Sequence, residues 1–350
     1  MSAYKDLLNT FRDQLGGNLA RLKCLTDTVL ALTLARSVNL VHIATYSKSS
    51  ATIDSHHRRL QRFLEGWLMP RKKITELILS KIPKPKKGYV LSIDRTNWQY
   101  GSAHINILTI GVIVDTIAVP LVWRTLPQAF KRGNSNTSHR IKLMEELLEA
   151  LPVEQIDFIA MDREFHGKKW LNWLDQKNLT FVLRIKANTL INGKAARLYQ
   201  RSARERKSIW GMRLYLGLKH INSKRTNDLY VVSNNLKPIS ALRAYRRRWG
   251  IEVVFGHFKK KGFNLEDTHI THADRIDRLI AVLTLSFFYC FGWGMRLKKE
   301  ASKTSKLHRK SHFRLGMEHI AKAINASEPL IDKELAQWFQ HLLLPRIFVV

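Results

Sequence analysis

Through the first 80 residues, apolar positions recur every three to four residues, in "YKDLLNTFRDQL", "LTDTVLALTLARSV" and "HHRRLQRFLEGWL", with polar breaks near Gly16-Gly17 and Ser49-Ser50. That period predicts an all-helical region over residues 1–80. Residues 81–88, "KIPKPKKG", are rich in proline and lysine and read as a linker. The texture then changes. "YVLSIDRTNW" is an apolar strand ending in a polar cluster, and "AHINILTIGVIVD" and "TIAVPLVWRTL" are rich in β-branched residues around a tight Val-Asp-Thr turn. Beyond the polar loop "KRGNSNTSH", a helix ("RIKLMEELLEAL"), a short buried strand ("IDFIAMD"), a second helix ("GKKWLNWLDQKN") and a further strand ("TFVLRIK") follow.

Three antiparallel strands followed by helix, strand, helix, strand is the order of a ribonuclease-H-like α/β core. Residues 188–235 interrupt it with strand-like runs, "SIWGMRLYLGLKHI" and "NDLYVVSNN", behind a basic run "RSARERK", and read as a β-rich insertion. A helix around 245–262 comes next, closing a catalytic-type domain over 89–300, and a basic helical region occupies 301–350. Within that domain "LIAVLTLSFFYCFGWGM", residues 279–295, approaches the length of a short membrane span. Its two glycines, threonine and serine, and its isolation, favour a buried helix and no membrane.

Charge narrows the function. The 350 residues carry 59 Lys and Arg against 28 Asp and Glu, a formal net charge of +31. Such an excess works against compactness and is most simply explained by a polyanionic partner, nucleic acid above all. A merely solvated basic surface is the plainer alternative, but the basic residues recur in every third of the chain. Cys24 and Cys290 are far apart and outside any CxxC pattern, so neither a disulfide framework nor a zinc ribbon is indicated, and a reducing cytoplasm fits. The N-terminal "MSAYKDLLNTFRDQL" carries acids early and does not read as a signal peptide.

Asp94 ends the first strand of the proposed core and Asp162 ends the fourth. In a ribonuclease-H-like sheet those strands are neighbours, so the two carboxylates suit a shared site for a hard cation such as Mg²⁺. Singly, each is more simply read as a turn former or helix N-cap. Together, in so basic a chain, they favour the metal site. In "YRRRWGIEVVFGHFKKKG", residues 245–262, Tyr245, Arg248, Glu252 and Lys259 share one helical face, while Ile251, Val254 and Phe258 form a separate apolar stripe. That polar face offers a carboxylate for an ion and cations for phosphate oxygens, with arginine as a planar fork and lysine as a point charge. Spacing alone leaves equally open an ordinary surface pair of Glu252 with Arg248.

With these residues in place, the chain resembles a DDE transposase of the insertion-sequence-4 family, encoded by bacterial mobile elements. The family's Tyr-Arg-Glu-Lys string, Y-x2-R-x3-E-x6-K, is matched at Tyr245, Arg248, Glu252 and Lys259 with every spacing kept. The resemblance implies a catalytic and metal-binding triad of Asp94, Asp162 and Glu252, with Mg²⁺ or Mn²⁺ as a two-ion cofactor. It implies DNA contacts from Tyr245, Arg248 and Lys259, and a β-strand insertion between Asp162 and Glu252. It also implies water-driven cleavage at the element's ends, attack of the freed 3′-hydroxyl on target DNA, double-stranded DNA as partner, and a homodimer on paired ends. Residues 1–80 fit the DNA-end-binding region by position. Localisation would be cytoplasmic, at the nucleoid when DNA is bound.

The sequence departs from the family at "DREF", where Glu164 takes a small-residue position and Phe165 the aromatic one a residue early, and at "DRT" after Asp94. Trp210 stands in the insertion where some relatives carry a tryptophan near a flipped base, though packing is its simpler role. Asp115, Asp157 and Glu164 are rival acids outside the motif. Three readings result: an active transposase, a domesticated or inactive derivative that only binds DNA, and an architectural basic DNA-binding protein with incidental carboxylates.

Overall fold

A computed structural model of the chain describes residues 2–47, 51–127, 135–203, 205–221, 228–302 and 304–325. Contacts divide it into two units, one of Lys84–Asn97 with His104–Phe255 and one of Met1–Pro83 with Trp98–Ala103 and Gly256–Val350.

The first unit is built on a sheet. Its strands are β1 (Tyr89–Tyr100), β2 (Ala103–Val114), β3 (Ile117–Thr125), β4 (Ile156–Met161) and β5 (Phe181–Ile185), then β6 (Leu190–Ile191), β7 (Lys194–Ala195), β8 (Lys207–Ile209), β9 (Met212–Lys219) and β10 (Leu229–Ser233). Eight of them form one sheet in the order β3-β2-β1-β4-β5-β10-β9-β8, and β6 and β7 form a small ribbon. β2 and β3 pair antiparallel, whereas β4 pairs parallel with both β1 and β5. This is the ribonuclease-H-like α/β order that the sequence predicts. The insertion's longer strands add a finding. They do not fold apart but continue the sheet, β10 lying antiparallel to β5 and to β9, which covers what would otherwise be an open edge.

Helices α6 (Thr137–Leu148) and α7 (Lys168–Gln176) cover one side, and the Trp170 indole donates to Met161 Sδ at 3.3 Å. The other side is set by the period of two along the strands. Val90 on β1 and Phe158 and Ala160 on β4 enter one buried cluster with Ala241, Ala244, Tyr245, Ile251 and Phe255. The last five belong to α8 (Pro238–Arg246) and α9 (Trp249–Gly256). Continuing the alternation, Asp94 and Asp162 fall on that same face.

One helix was expected over 245–262; there are two helices and a π-helical turn, His257–Lys261. At the join Arg248, Gly250 and Ile251 donate to the carbonyls three residues earlier, of Tyr245, Arg247 and Arg248. The cause is tertiary. Gly250 lies so close to β3 that a Cβ there would stand 2.9 Å from both Ala118 N and Ile117 C, and Ser92 Oγ on β1 donates to the Arg248 carbonyl at 3.3 Å.

The second unit is helical: α1 (Ser2–Leu15), α2 (Leu19–Ala35), α3 (Leu40–Ala44), α4 (Ile53–Gly66), α5 (Arg71–Lys81), α10 (Ala273–Glu300) and α11 (His312–Asn325). The break at Gly16-Gly17 falls as the sequence predicts, with φ of +65° and +97° and Asn18 capping α2; Ser49-Ser50 lies outside the described residues. Helix α10 is long and apolar enough to cross a bilayer, yet 89% of its apolar window is buried within the protein. It packs closely on α11, because a Cβ at Gly294 or Gly316 would meet main-chain oxygens of His312 or Cys290 within 2 Å. The segment 326–350, expected to be helical, lies outside the described residues.

Candidate active site

Parallel register brings the two aspartates together. Ile93 on β1 is opposite Met161 on β4, so the next residues, Asp94 and Asp162, stand side by side, about 5 Å apart along the sheet. Asp162 follows the end of β4 as expected, but Asp94 does not end its strand, because β1 runs on to Tyr100. Glu252, in the first turn of α9, approaches over the same face.

Two side chains link these three carboxylates. Arg248 Nη1 donates to Asp94 Oδ2 at 2.9 Å, and its Nη2 donates to Glu252 Oε1. Tyr245 Oη donates to Asp162 Oδ1 at 3.1 Å, and the Arg248 guanidinium lies 5.6 Å from the Tyr245 ring centroid. Asp94, Asp162, Tyr245, Arg248 and Glu252 therefore form one network inside the sheet unit. Lys259, the sixth residue expected here, belongs to the helical unit; it sits in the π turn with Nζ 2.8 Å from Glu266 Oε1.

Burial shapes the electrostatics. It pushes the Asp94 carboxyl up to about 7; Arg248 and the Arg95 N–H pull the other way, and the charges of Glu164 and Asp162 add to the rise. Burial also opposes the Arg248 charge, but Tyr245 and the carboxylates of Glu252 and Asp94 outweigh it and hold the guanidinium protonated above its ordinary value. Burial raises the Tyr245 phenol as well, keeping it a hydrogen-bond donor.

Sequence reasoning set Glu164 aside. The structure places it at this site, on the turn Arg163–Phe165 that follows Asp162, with its carboxylate 3.4 Å from Arg95 Nη2. Arg95 and the buried Arg140 also went unread; the signal for Glu164 was its position two residues after a strand-end aspartate. Trp210 sits at the tip of the β8–β9 hairpin with φ +51°, its half-buried ring 6.1 Å from that of His166.

The donor set suits a hard divalent cation. The three side chains offer carboxylate oxygens, the donors such an ion takes, and a guanidinium already bridges two of them. Among the described residues no group of three His, Cys, Asp or Glu side chains stands ready to hold an ion; in this arrangement Asp94 and Glu252 are taken up by Arg248 and Asp162 by Tyr245.

A ribonuclease-H-like α/β sheet, with Asp94 and Asp162 side by side on adjacent parallel strands and Glu252 on a covering helix, is the class of protein that the fold defines. Within it the chain belongs to the transposase DDE domain family, whose sequence model matches residues 85–288, more than half of its length. It is a transposase, of a kind that generally uses divalent metal ions. Among solved structures, a piggyBac transposase synaptic complex with hairpin DNA, determined by cryo-EM, is 11% identical with a TM-score of 0.45, over 98% of this chain and 83% of that one. No curated protein matches the chain.

Proposed function

We propose that this transposase performs metal-dependent cleavage at the ends of an insertion element of the insertion-sequence-4 type and joins those ends to target DNA. The observation that carries the reading is the side-by-side register of Asp94 and Asp162, with Glu252 joined to Asp94 through Arg248. Asp94, Asp162 and Glu252 would hold Mg²⁺ or Mn²⁺, as a pair of ions, which supply Lewis-acid stabilisation of charge developing on the phosphodiester.

The chain's own residues prepare the site for that charge. Arg248 neutralises Asp94 and Glu252 while no ion is held, and its planar fork suits two phosphate oxygens once it is released from them. Tyr245 fixes one oxygen of Asp162 and leaves the other free as a ligand. Lys259 offers a point charge to the DNA backbone. Helices of residues 1–80 would take the element's end, two copies would hold paired ends, and the protein would work in a bacterial cytoplasm, at the nucleoid when DNA is bound.

The test is incubation with the DNA flanking the protein's own gene, with and without Mg²⁺. Wild type releases a 3′-hydroxyl end only with Mg²⁺, and Glu252→Gln binds the same DNA without cutting it. Cleavage by Glu252→Gln at the wild-type rate removes Glu252 from the proposed role.

A further inference from the structure

Arg140, in the first turn of α6, is only 4% exposed. Its Nε donates to Ser135 Oγ at 2.9 Å and its Nη2 to the Ser135 carbonyl at 2.5 Å. Nη2 also donates to the Glu164 carbonyl at 3.0 Å, and Nη1 to the His166 carbonyl at 3.1 Å. Each of these acceptors is a main-chain carbonyl or a serine hydroxyl. The guanidinium also lies over the fully buried Phe165 ring, 5.0 Å from its centroid. Burying an arginine is costly unless its donors are satisfied; here they are used to fix the turn that leads out of Asp162.

The same turn is tied from the opposite direction. Glu164 Oε2 faces Arg95 Nη2 at 3.4 Å, and Arg95 Nη1 donates to Asn106 Oδ1 on β2. Arg95 directly follows Asp94, and its N–H donates to Asp94 Oδ1 at 2.8 Å. Glu164 Oε1 is buried without a hydrogen-bond partner among the described residues, so that carboxylate has capacity to spare beside Asp94. A continuous brace thus runs from Ser135 through Arg140 to the 164–166 turn, and from Glu164 through Arg95 to β1 and β2.

We propose that Arg140, Glu164 and Arg95 are positioning residues whose brace sets the separation of Asp94 and Asp162 and so the affinity of that pair for a divalent cation. The proposal rests on the metal-binding reading of the two aspartates. The small-residue position taken by Glu164 becomes, in this chain, the anchor of the brace. Arginine is required at 140 because only its fork reaches three main-chain carbonyls and a hydroxyl at once; lysine carries the charge without the geometry.

The experiment is a Mn²⁺ titration of the full-length protein without DNA, followed by the paramagnetic resonance of free Mn²⁺, well below the melting temperature. Wild type binds Mn²⁺ and Asp94→Asn binds far less; if wild type binds none, the metal-binding reading fails and the brace with it. Given binding, Glu164→Gln and Arg140→Lys should each weaken it about tenfold, the lower end of the range for groups that orient metal ligands, with Glu164→Gln melting within a few degrees of wild type. Should Arg140→Lys fold poorly, Arg95→Gln serves in its place with the same expected loss. Wild-type affinity in the folded variants overturns the brace and leaves the metal site standing.

Discussion

Each unit of this protein holds an arginine against an aspartate, buried in one and half-buried in the other, and the two pairs differ in kind. In the helical unit Arg71 on α5 meets Asp277 on α10 at 2.6 Å, with the aspartate side chain 5% exposed. In the sheet unit Arg248 meets Asp94 at 2.9 Å, but the same guanidinium also bonds Glu252, and the charges of Asp162 and Glu164 reach Asp94 as well. The first ties two helices together at a single aspartate. The second gathers four carboxylates around Arg248, Arg95 and Arg140, and burial has already driven one of them, Asp94, to about 7. An ion pair kept for stability does not need that surplus of acid; a site that receives a cation does.

The two pairs differ most visibly in activity. Glu252→Gln should lower Mg²⁺-dependent end cleavage about a thousandfold, the equivalent of several kcal/mol of charge stabilisation. Its melting temperature should move only a few degrees, because the removed charge is partly exposed. Arg71→Ala should do the opposite. It leaves Asp277 buried without its guanidinium and costs about 3–5 kcal/mol in urea unfolding, while the fraction that stays folded cleaves normally.

A third substitution separates position from charge. Alanine at Gly250 drives a Cβ against the β3 main chain and costs about 1–3 kcal/mol through overpacking. Because α9 must then lift from the sheet with Glu252 upon it, the cleavage rate of the folded fraction should fall, unlike that of Arg71→Ala. Equal rates for the two variants would show that α9 does not aim the site.

The smallest effect is in pH dependence. Since Asp94 binds its proton more tightly in the folded protein than unfolded, its contribution to stability is fully present below about pH 4 and is lost as pH rises through about 7. Asp94→Asn removes that loss. In EDTA the variant should therefore gain of order 1 kcal/mol over wild type at pH 8 relative to pH 5. A constant offset at both values would show that Asp94 does not titrate in this window.

Local pattern carried much of this. The apolar runs of β1 and β4 end at Asp94 and Asp162, and the ribonuclease-H-like order of strands and helices made those positions neighbours. Burial of Ile251, Val254 and Phe258 follows from their spacing alone. What escaped the sequence depends on contacts between distant segments. The break at Arg247 and Arg248 is invisible locally, as arginine favours helix; it arises where Gly250 meets residues 117 and 118. β10 and β9 were legible as strands, but their place at the edge of the central sheet is a pairing choice over a long separation. Arg140 resembled any basic residue opening a helix, and only the fold reveals that its donors are spent on the turn beyond Asp162.

Arg248 is proposed to occupy, between carboxylates, the place a divalent cation takes during the reaction. A crystal structure of the protein grown with Mn²⁺, with anomalous diffraction recorded to locate the metal, tests it most directly. Mn²⁺ is expected among Asp94, Asp162 and Glu252, with the guanidinium of Arg248 displaced from Asp94 and Glu252. Carboxylates free of metal at saturating Mn²⁺, with Arg248 still bridging them, would contradict it.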